Sequence, residues 1–174
     1  MYHTLLRFRF LVLLLAVLAL ATSCAPSAAP AAPAGPSIRI DSSASSVQVN
    51  DTVRVSIKAV DVANLTAFET HLSFDANVLE VVEVVDGSFV APDFTVQNIF
   101  DNASGTIDYA VAQISRDPAH GSGVLFEIVF RAKAKGDALI RFRGTQAATE
   151  GVLLSDPDGM ALQVSLVDAS VNVK

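Results

Sequence analysis

The chain has 174 residues, with 12 basic and 18 acidic side chains, a formal charge of −6, one cysteine and no tryptophan. The length gives one domain with a sizeable core, the acidic balance argues against a nucleic-acid partner, and a single thiol excludes an intrachain disulfide.

In chain order, Arg7 and Arg9 precede an unbroken apolar run from Phe10 to Ala21. As a helix that run spans roughly 18 Å, short of a hydrocarbon core of about 30 Å. A basic start, a short apolar middle and small residues at the end predict a secretory signal peptide over residues 1–23. Ala21, Thr22 and Ser23 lead into Cys24. This resembles the lipobox of bacterial lipoproteins, where the cysteine is acylated and becomes the first mature residue; Ala21 stands where that motif usually has Leu. The resemblance implies lipidation at Cys24 and display at the cell surface or on the outer face of a membrane. Without acylation, ordinary signal cleavage near Ala25–Ala29 gives a secreted chain, and Cys24 is incidental.

Residues 24–37 form an Ala/Pro linker. Its four prolines, Pro26, Pro30, Pro33 and Pro36, block helix and sheet pairing. At about 3 Å per residue, such a segment holds the following domain up to about 40 Å from its anchor. Loss of residues 1–23 removes two arginines, so the mature chain keeps ten basic and eighteen acidic residues, a charge of −8.

Residues 38–174 read as one all-β domain. In Thr52–Val60, Val53, Val55, Ile57 and Ala59 alternate with Arg54, Ser56 and Lys58, the period of a half-buried strand. Leu65–Phe74 puts Phe68, Thr70, Leu72 and Phe74 on one face, and Ala67, Glu69, His71 and Ser73 on the other. Val78–Val85 is rich in β-branched residues, with Glu80 and Glu83 expected on opposite faces. Strands are expected at Phe94–Phe100, Thr106–Gln113, Val124–Ala134, Leu139–Arg143 and Leu162–Val173. Turn residues such as Asp86-Gly87, Asn102-Ala103-Ser104-Gly105 and Asp156-Pro157-Asp158-Gly159 separate them. Eight or nine short strands predict a two-sheet sandwich.

Catalytic patterns are missing. Of the mature histidines, His71 lies on an outward strand face and His120 in the loop RDPAHGSG, neither with a Cys or His partner nearby in sequence. No paired carboxylates sit in an aromatic-rich segment, and glycines fall singly at turns. Flat sugar platforms need exposed Trp or Tyr. Here the one mature tyrosine, Tyr109, shares parity with Ile107 and Val111 and is expected in the core, its hydroxyl at an edge. Asp156 and Asp158 before Gly159 are weak calcium candidates, because no bidentate Glu completes an EF-hand loop and a Pro-containing turn explains the same letters. No enzyme and no cofactor are expected.

IRIDSSASSVQVNDTVRVSIKAVDVANLTAFETHLSFDANVLEVVEVVDGSFV resembles the first half of a cohesin domain, with Asn-Asp-Thr opening an alternating strand and then Phe-x-x-x-Leu-x-Phe-Asp-x-x-x-Leu-x-Val. GTIDYAVAQ, GSGVLFEIVFRAKAKG and LLSDPDGMALQVSLVDASVNV resemble its later strands, so the likeness runs from Ile38 to Val173. It implies a nine-stranded jelly-roll β-sandwich, in a superfamily shared with some carbohydrate-binding modules. It also implies a dockerin-like partner, a small calcium-loaded helical module on another protein. The family's contact strands place Ala67, Glu69, His71, Asp108, Ala110 and Gln113 on the partner-binding face. Small or charged groups at Ala67, Asp108 and Ala110 replace the Asn and larger apolar residues common in cellulosomal relatives. The expectation is a non-catalytic surface binding module, with polysaccharide degradation as its setting. A carbohydrate-binding module and a structural envelope lipoprotein remain the alternatives.

Overall fold

The computed structural model describes residues 35–145 and 151–174. The signal peptide, Cys24 and all but the end of the 24–37 linker lie outside the described residues. Twelve strands occupy the described chain: β1 (Ser37–Ser42), β2 (Ser46–Val47), β3 (Thr52–Leu65), β4 (Ala67–Phe74), β5 (Leu79–Asp86), β6 (Phe94–Asp101), β7 (Thr106–Ala112), β8 (Ala119–Ala132), β9 (Gly136–Phe142), β10 (Leu153–Ser155), β11 (Ser165–Val167) and β12 (Ala169–Val173).

They make two sheets, one ordered β11-β1-β3-β8-β5 and the other β2-β12-β9-β4-β7-β6. β10 joins the second sheet along Ala67–Glu69 of β4, the stretch of that edge which β9 leaves unpaired. This is the two-sheet sandwich expected from the strand pattern, with the jelly-roll form that the cohesin resemblance implies, built from more strands than the eight or nine expected.

The alternation in β3 works as read. Val53, Val55, Ile57 and Ala59 are buried, while Arg54 reaches Glu127 at 3.0 Å and Lys58 reaches Asp41 at 3.1 Å on the solvent side. Phe68, Thr70, Leu72 and Phe74 of β4 all face the core. Tyr109 is buried and stacks on Phe126 with centroids 4.3 Å apart; Phe68 packs against both rings. Its hydroxyl donates to Asp86 at 2.5 Å, at the sandwich edge where parity puts it. Burial, then the Asp86 carboxylate, raises the phenol's pKa well above its usual value.

Three sequence expectations need correction. β3 continues to Leu65 and β8 begins at Ala119, because register shifts between Ile57 and Leu65 let the two strands stay paired. Asp61 and Asn64 absorb those shifts with left-handed φ of 53° and 57°. His120 is therefore a strand residue, its Nδ1 accepting from the Asn64 amide at 3.4 Å. In β5 a bulge between Val81 and Glu83 inserts one residue, so Glu80 and Glu83 share the outer face rather than opposing one another. Leu162–Val173 is not one strand: β11 pairs with β1 in one sheet and β12 with β9 in the other. Asp168 sits at the crossing, its carboxylate accepting the Phe142 amide at 3.0 Å.

Candidate functional site

The outer face of the β4–β7 sheet is laid out by its register. One row across the face runs Ser155, Ala67, Ala112, Phe94; the next runs Leu153, Glu69, Ala110, Gln97. In the third row Arg143 follows β9, its amide donating to the His71 carbonyl at 2.7 Å, and His71 pairs with Asp108, then Ile99.

In the first two rows three of the four middle-strand positions are alanine, with Glu69 the fourth, and the flanks carry Ser155, Leu153, Phe94 and Gln97. Ala67, Ala110 and Ala112 form a floor, Leu153 rises from β10, and Val96 rises from β6. Val96 stands out because a bulge between Thr95 and Gln97 pushes it from the ladder. The result is an open apolar trough of about 150 Å³. Beside it Phe94, Val96 and Ile99 are 61%, 64% and 57% exposed, a concentration of uncovered apolar surface on one edge strand.

The third row closes one end of the trough with charge. The His71 ring is held between carboxylates, Nδ1 2.6 Å from Asp108 and Nε2 3.0 Å from Glu69. The Arg143 guanidinium donates to the same Asp108 oxygen and lies 3.4 Å from His71 Nδ1. His71 has the outward parity expected of it but is only 8% exposed, because these three side chains cover it. It is a strut of this cluster rather than a solvated surface histidine.

Two other expected face residues also differ. Ala110 points outward but is 5% exposed, sunk in the trough floor between its larger neighbours. Gln113 does not belong to the face. It lies past the end of β7 on the opposite parity, where Ala112 continues the outward series. Its side chain is buried, Oε1 accepting from the Ala91 amide at 3.0 Å and Nε2 donating to the Asp117 carbonyl at 2.7 Å. It ties two loops together. Ala67, Glu69 and Asp108 lie on the face as read.

The weak calcium pair also resolves into a turn. Asp156 Oδ1 accepts the amides of Asp158 at 3.0 Å and Met160 at 2.8 Å, the pattern of an Asx turn. Among the described residues no cluster of three or more His, Cys, Asp or Glu is placed to hold a metal ion.

The outer face of the opposite sheet is different in kind. Arg54–Glu127, Lys58–Asp41 and Glu80–Arg131 pairs run along it as a solvated charge ladder.

The cohesin-domain family model matches residues 37–173. This chain belongs to the cohesin family. No curated protein matches it. Among solved structures the cohesin fold is similar to a type II cohesin domain from the cellulosome of Acetivibrio cellulolyticus, at 21% identity and a TM-score of 0.69, covering 80% of this chain and 96% of that one. A non-cellulosomal cohesin from the hyperthermophilic archaeon Archaeoglobus fulgidus follows at 19% identity and a TM-score of 0.65, covering 81% and 92%. A type I cohesin–dockerin complex from Clostridium thermocellum gives 17% identity and a TM-score of 0.64, covering 79% and 99%.

On this cohesin, the flanking residues Phe94, Val96, Ile99 and Leu153 and the cation Arg143 were missed by sequence reasoning. β6 is exposed on both sides, so it carries no alternation to reveal which residues share a face with Ala67 and Ala110. The one available signal was the uncharged run from Phe94 to Phe100, bracketed by Asp93 and Asp101.

Proposed function

We propose that this cohesin is a non-catalytic binding module, carried outside the cell on a lipid anchor at Cys24, that engages a dockerin-type partner through the outer face of β4, β7, β6 and β10. The observation that carries this is the difference between the two outer faces. One is a charge ladder that water already satisfies. The other gathers uncovered apolar side chains around a trough, next to an ordered charged cluster. Protein interfaces draw their energy from such an apolar centre with polar groups around it. The likeness to cohesins solved with dockerins supports the choice of partner. Polysaccharide degradation is the setting that partner class suggests.

With alanines where other cohesins carry bulk, the contact is weaker than a cellulosomal pair, in the micromolar range. That is about 4 kcal/mol short of nanomolar, the worth of one or two large anchors. Calorimetry with calcium-loaded dockerin modules from the same genome tests it. The expected result is binding by wild type and at least about a tenfold loss in a Val96→Asp, Ile99→Asp double variant. Unchanged affinity places the interface elsewhere. Retention on insoluble polysaccharide, with no dockerin bound, makes the domain a carbohydrate-binding module instead.

A further inference from the structure

The sheet changes character past the Arg143–His71–Asp108 row, where β4 and β9 run side by side away from the trough. There Ser73, Asp75, Asp137, Leu139 and Arg141 line a second, open cleft of about 290 Å³. We propose that this cleft binds a short ω-amino acid, a molecule with a carboxylate at one end, a primary ammonium at the other and a few methylenes between. The site lies outside the trough and goes beyond the partner reading.

The order of the groups comes from the strand period. In β9, Ala138, Ile140 and Phe142 are buried, so Asp137, Leu139 and Arg141 point outward in that order. Ser73 pairs with Arg141 across β4 and β9, and Asp75 follows the Phe74–Ile140 pair, which sets it level with Leu139. Along the cleft the lining therefore runs from a guanidinium beside a hydroxyl, through an isobutyl group 40% exposed and flanked by Asp75, to the Asp137 carboxylate. Successive outward residues on a strand lie about 6.6 Å apart, so Arg141 and Asp137 start about 13 Å apart at the backbone.

The charges in this cleft face one another without meeting. Arg54, Lys58, Arg131 and Arg143 each reach a carboxylate on the outer faces, whereas Arg141 reaches none among the described residues. The acids are tied instead to donors of their own. Asp137 Oδ1 accepts Asn172 Nδ2 at 2.6 Å, and Asp75 Oδ1 accepts the amide and Nδ2 of Asn77 at 2.9 and 3.1 Å. The second oxygen of each carboxylate has no partner among the described residues. Arginine keeps its charge and its five donors, so the cleft has an anion-binding end and a cation-binding end with nothing joining them.

That polarity selects the ligand. A simple anion at Arg141 meets two nearby carboxylates, and a simple cation at Asp75 and Asp137 meets the guanidinium; a molecule carrying both charges satisfies both ends at once. Its methylenes lie over Leu139, apolar surface against apolar surface. The cleft's volume equals that of roughly ten liquid waters and sits at the low edge of the roughly 300–1,000 Å³ typical of small-molecule sites, which suits a four-carbon amino acid. A pyranose would leave both charged ends without a counter-charge and has no aromatic ring to stack on, since Phe74 beneath the cleft is buried.

The test titrates 4-aminobutanoate into the protein at low salt, where exposed charges are least screened, and follows methyl and amide NMR. The expected result is saturable shifts at millimolar concentration, confined to the Leu139 methyls, the Arg141 side-chain Nε–H and the Ser73 and Asp75 amides. Butanoate and butylamine, each with one charged end, should bind at least about fivefold more weakly. Arg141→Gln should bring the affinity for 4-aminobutanoate down to that for butylamine. Asp75→Asn with Asp137→Asn should bring it down to that for butanoate. These substitutions keep hydrogen-bonding groups of similar shape on the surface, so the amide spectrum of the core should be unchanged. Equal binding of the three compounds, shifts centred on the Ala110 and Leu153 methyls of the trough, or affinity that survives both variants would overturn the proposal. So would cellobiose moving the same nuclei at the same concentration, which would make the cleft a site for hydroxyls rather than for paired charges.

Discussion

At the level of single residues, β4 shows how a period of two divides labour. Leu72 is wholly buried between the sheets, two positions from Thr70, whose hydroxyl donates to the Tyr109 carbonyl at 3.2 Å. Leu72→Ala removes most of a core side chain and leaves a void, a loss of about 2–5 kcal/mol by denaturant unfolding. Glu69→Ala, one face over, removes a half-exposed carboxylate and should cost less than about 1 kcal/mol. Comparable losses from the two would contradict the observed register. Asp93 supplies a pH-dependent residue. The Ser115 hydroxyl, the Ser115 amide and then the Ile114 amide donate to its carboxylate and lower its pKa to about 2. A depressed carboxyl pKa means that the ionised form is the one the fold prefers. Its contribution is complete above the unfolded value of about 3.9 and disappears as pH falls from there through about 2. Carboxyl NMR should therefore place the Asp93 midpoint near 2, and Ser115→Ala should move it upward; a midpoint at the ordinary aspartate value would show that the loop lock is not formed in solution.

At the level of elements, legibility followed burial. β3 and β4 were plain in the sequence because each has one wet and one dry face, so Val53 to Ala59 and Phe68 to Phe74 announce themselves. Tyr109 was placed correctly for the same reason. β6 was found as a strand but its role was hidden, since exposure on both sides leaves no period to read. The bulges at Val82 and Val96 were invisible, because one inserted residue reverses the parity of everything after it without changing composition. β10, three residues long, falls below any pattern, yet it contributes Leu153 to the site. Gln113 was placed against the strand's own parity: Asp108, Ala110 and Ala112 share the outward face, and residue 113 falls in step with Ile107, Tyr109 and Val111 on the other. The β6–β7 connection carries this scale's prediction. Gly105 has a φ of +70°, its carbonyl accepts the Phe74 amide at 2.9 Å, and a Cβ there would run into the Phe74 carbonyl. Gly105→Ala should destabilise the domain by about 1–3 kcal/mol, because the left-handed backbone is disfavoured for alanine and β4 stands in the way. A thermal midpoint unchanged from wild type would mean that the turn relaxes freely.

Across the whole molecule, the two outer faces are read differently by solvent. The β3–β8 face is balanced in charge and self-paired, so substitutions there should leave partner binding unaffected. The β4–β7 face leaves Phe94, Val96 and Ile99 uncovered, in a chain of net charge −6. Such a charge favours association with basic surfaces and makes it weaken as salt rises. The proposed anchor is tested on the full chain as well. If Cys24 bears the lipid, Cys24→Ala should move the protein from the membrane fraction to the soluble fraction, since each buried methylene contributes about 0.8 kcal/mol and stable attachment needs more than one chain. Equal membrane retention of the variant would remove the lipid from the account.

The pairing of β1 with β11, and of β2 with β12, joins the first described strands to the last. Ser165 reaches back 129 positions to the Pro36 carbonyl. Until residues beyond Ser165 are available, one sheet lacks its edge strand β11 and the other its inner strand β12, so β1 is unpaired along one side and β2 has no strand partner. Contacts this distant in sequence form late, because closing the intervening loop costs entropy before any contact repays it. Folding is thus held back until nearly all of this domain has emerged, and a nascent chain stays threadable for as long as its C-terminal strands are missing.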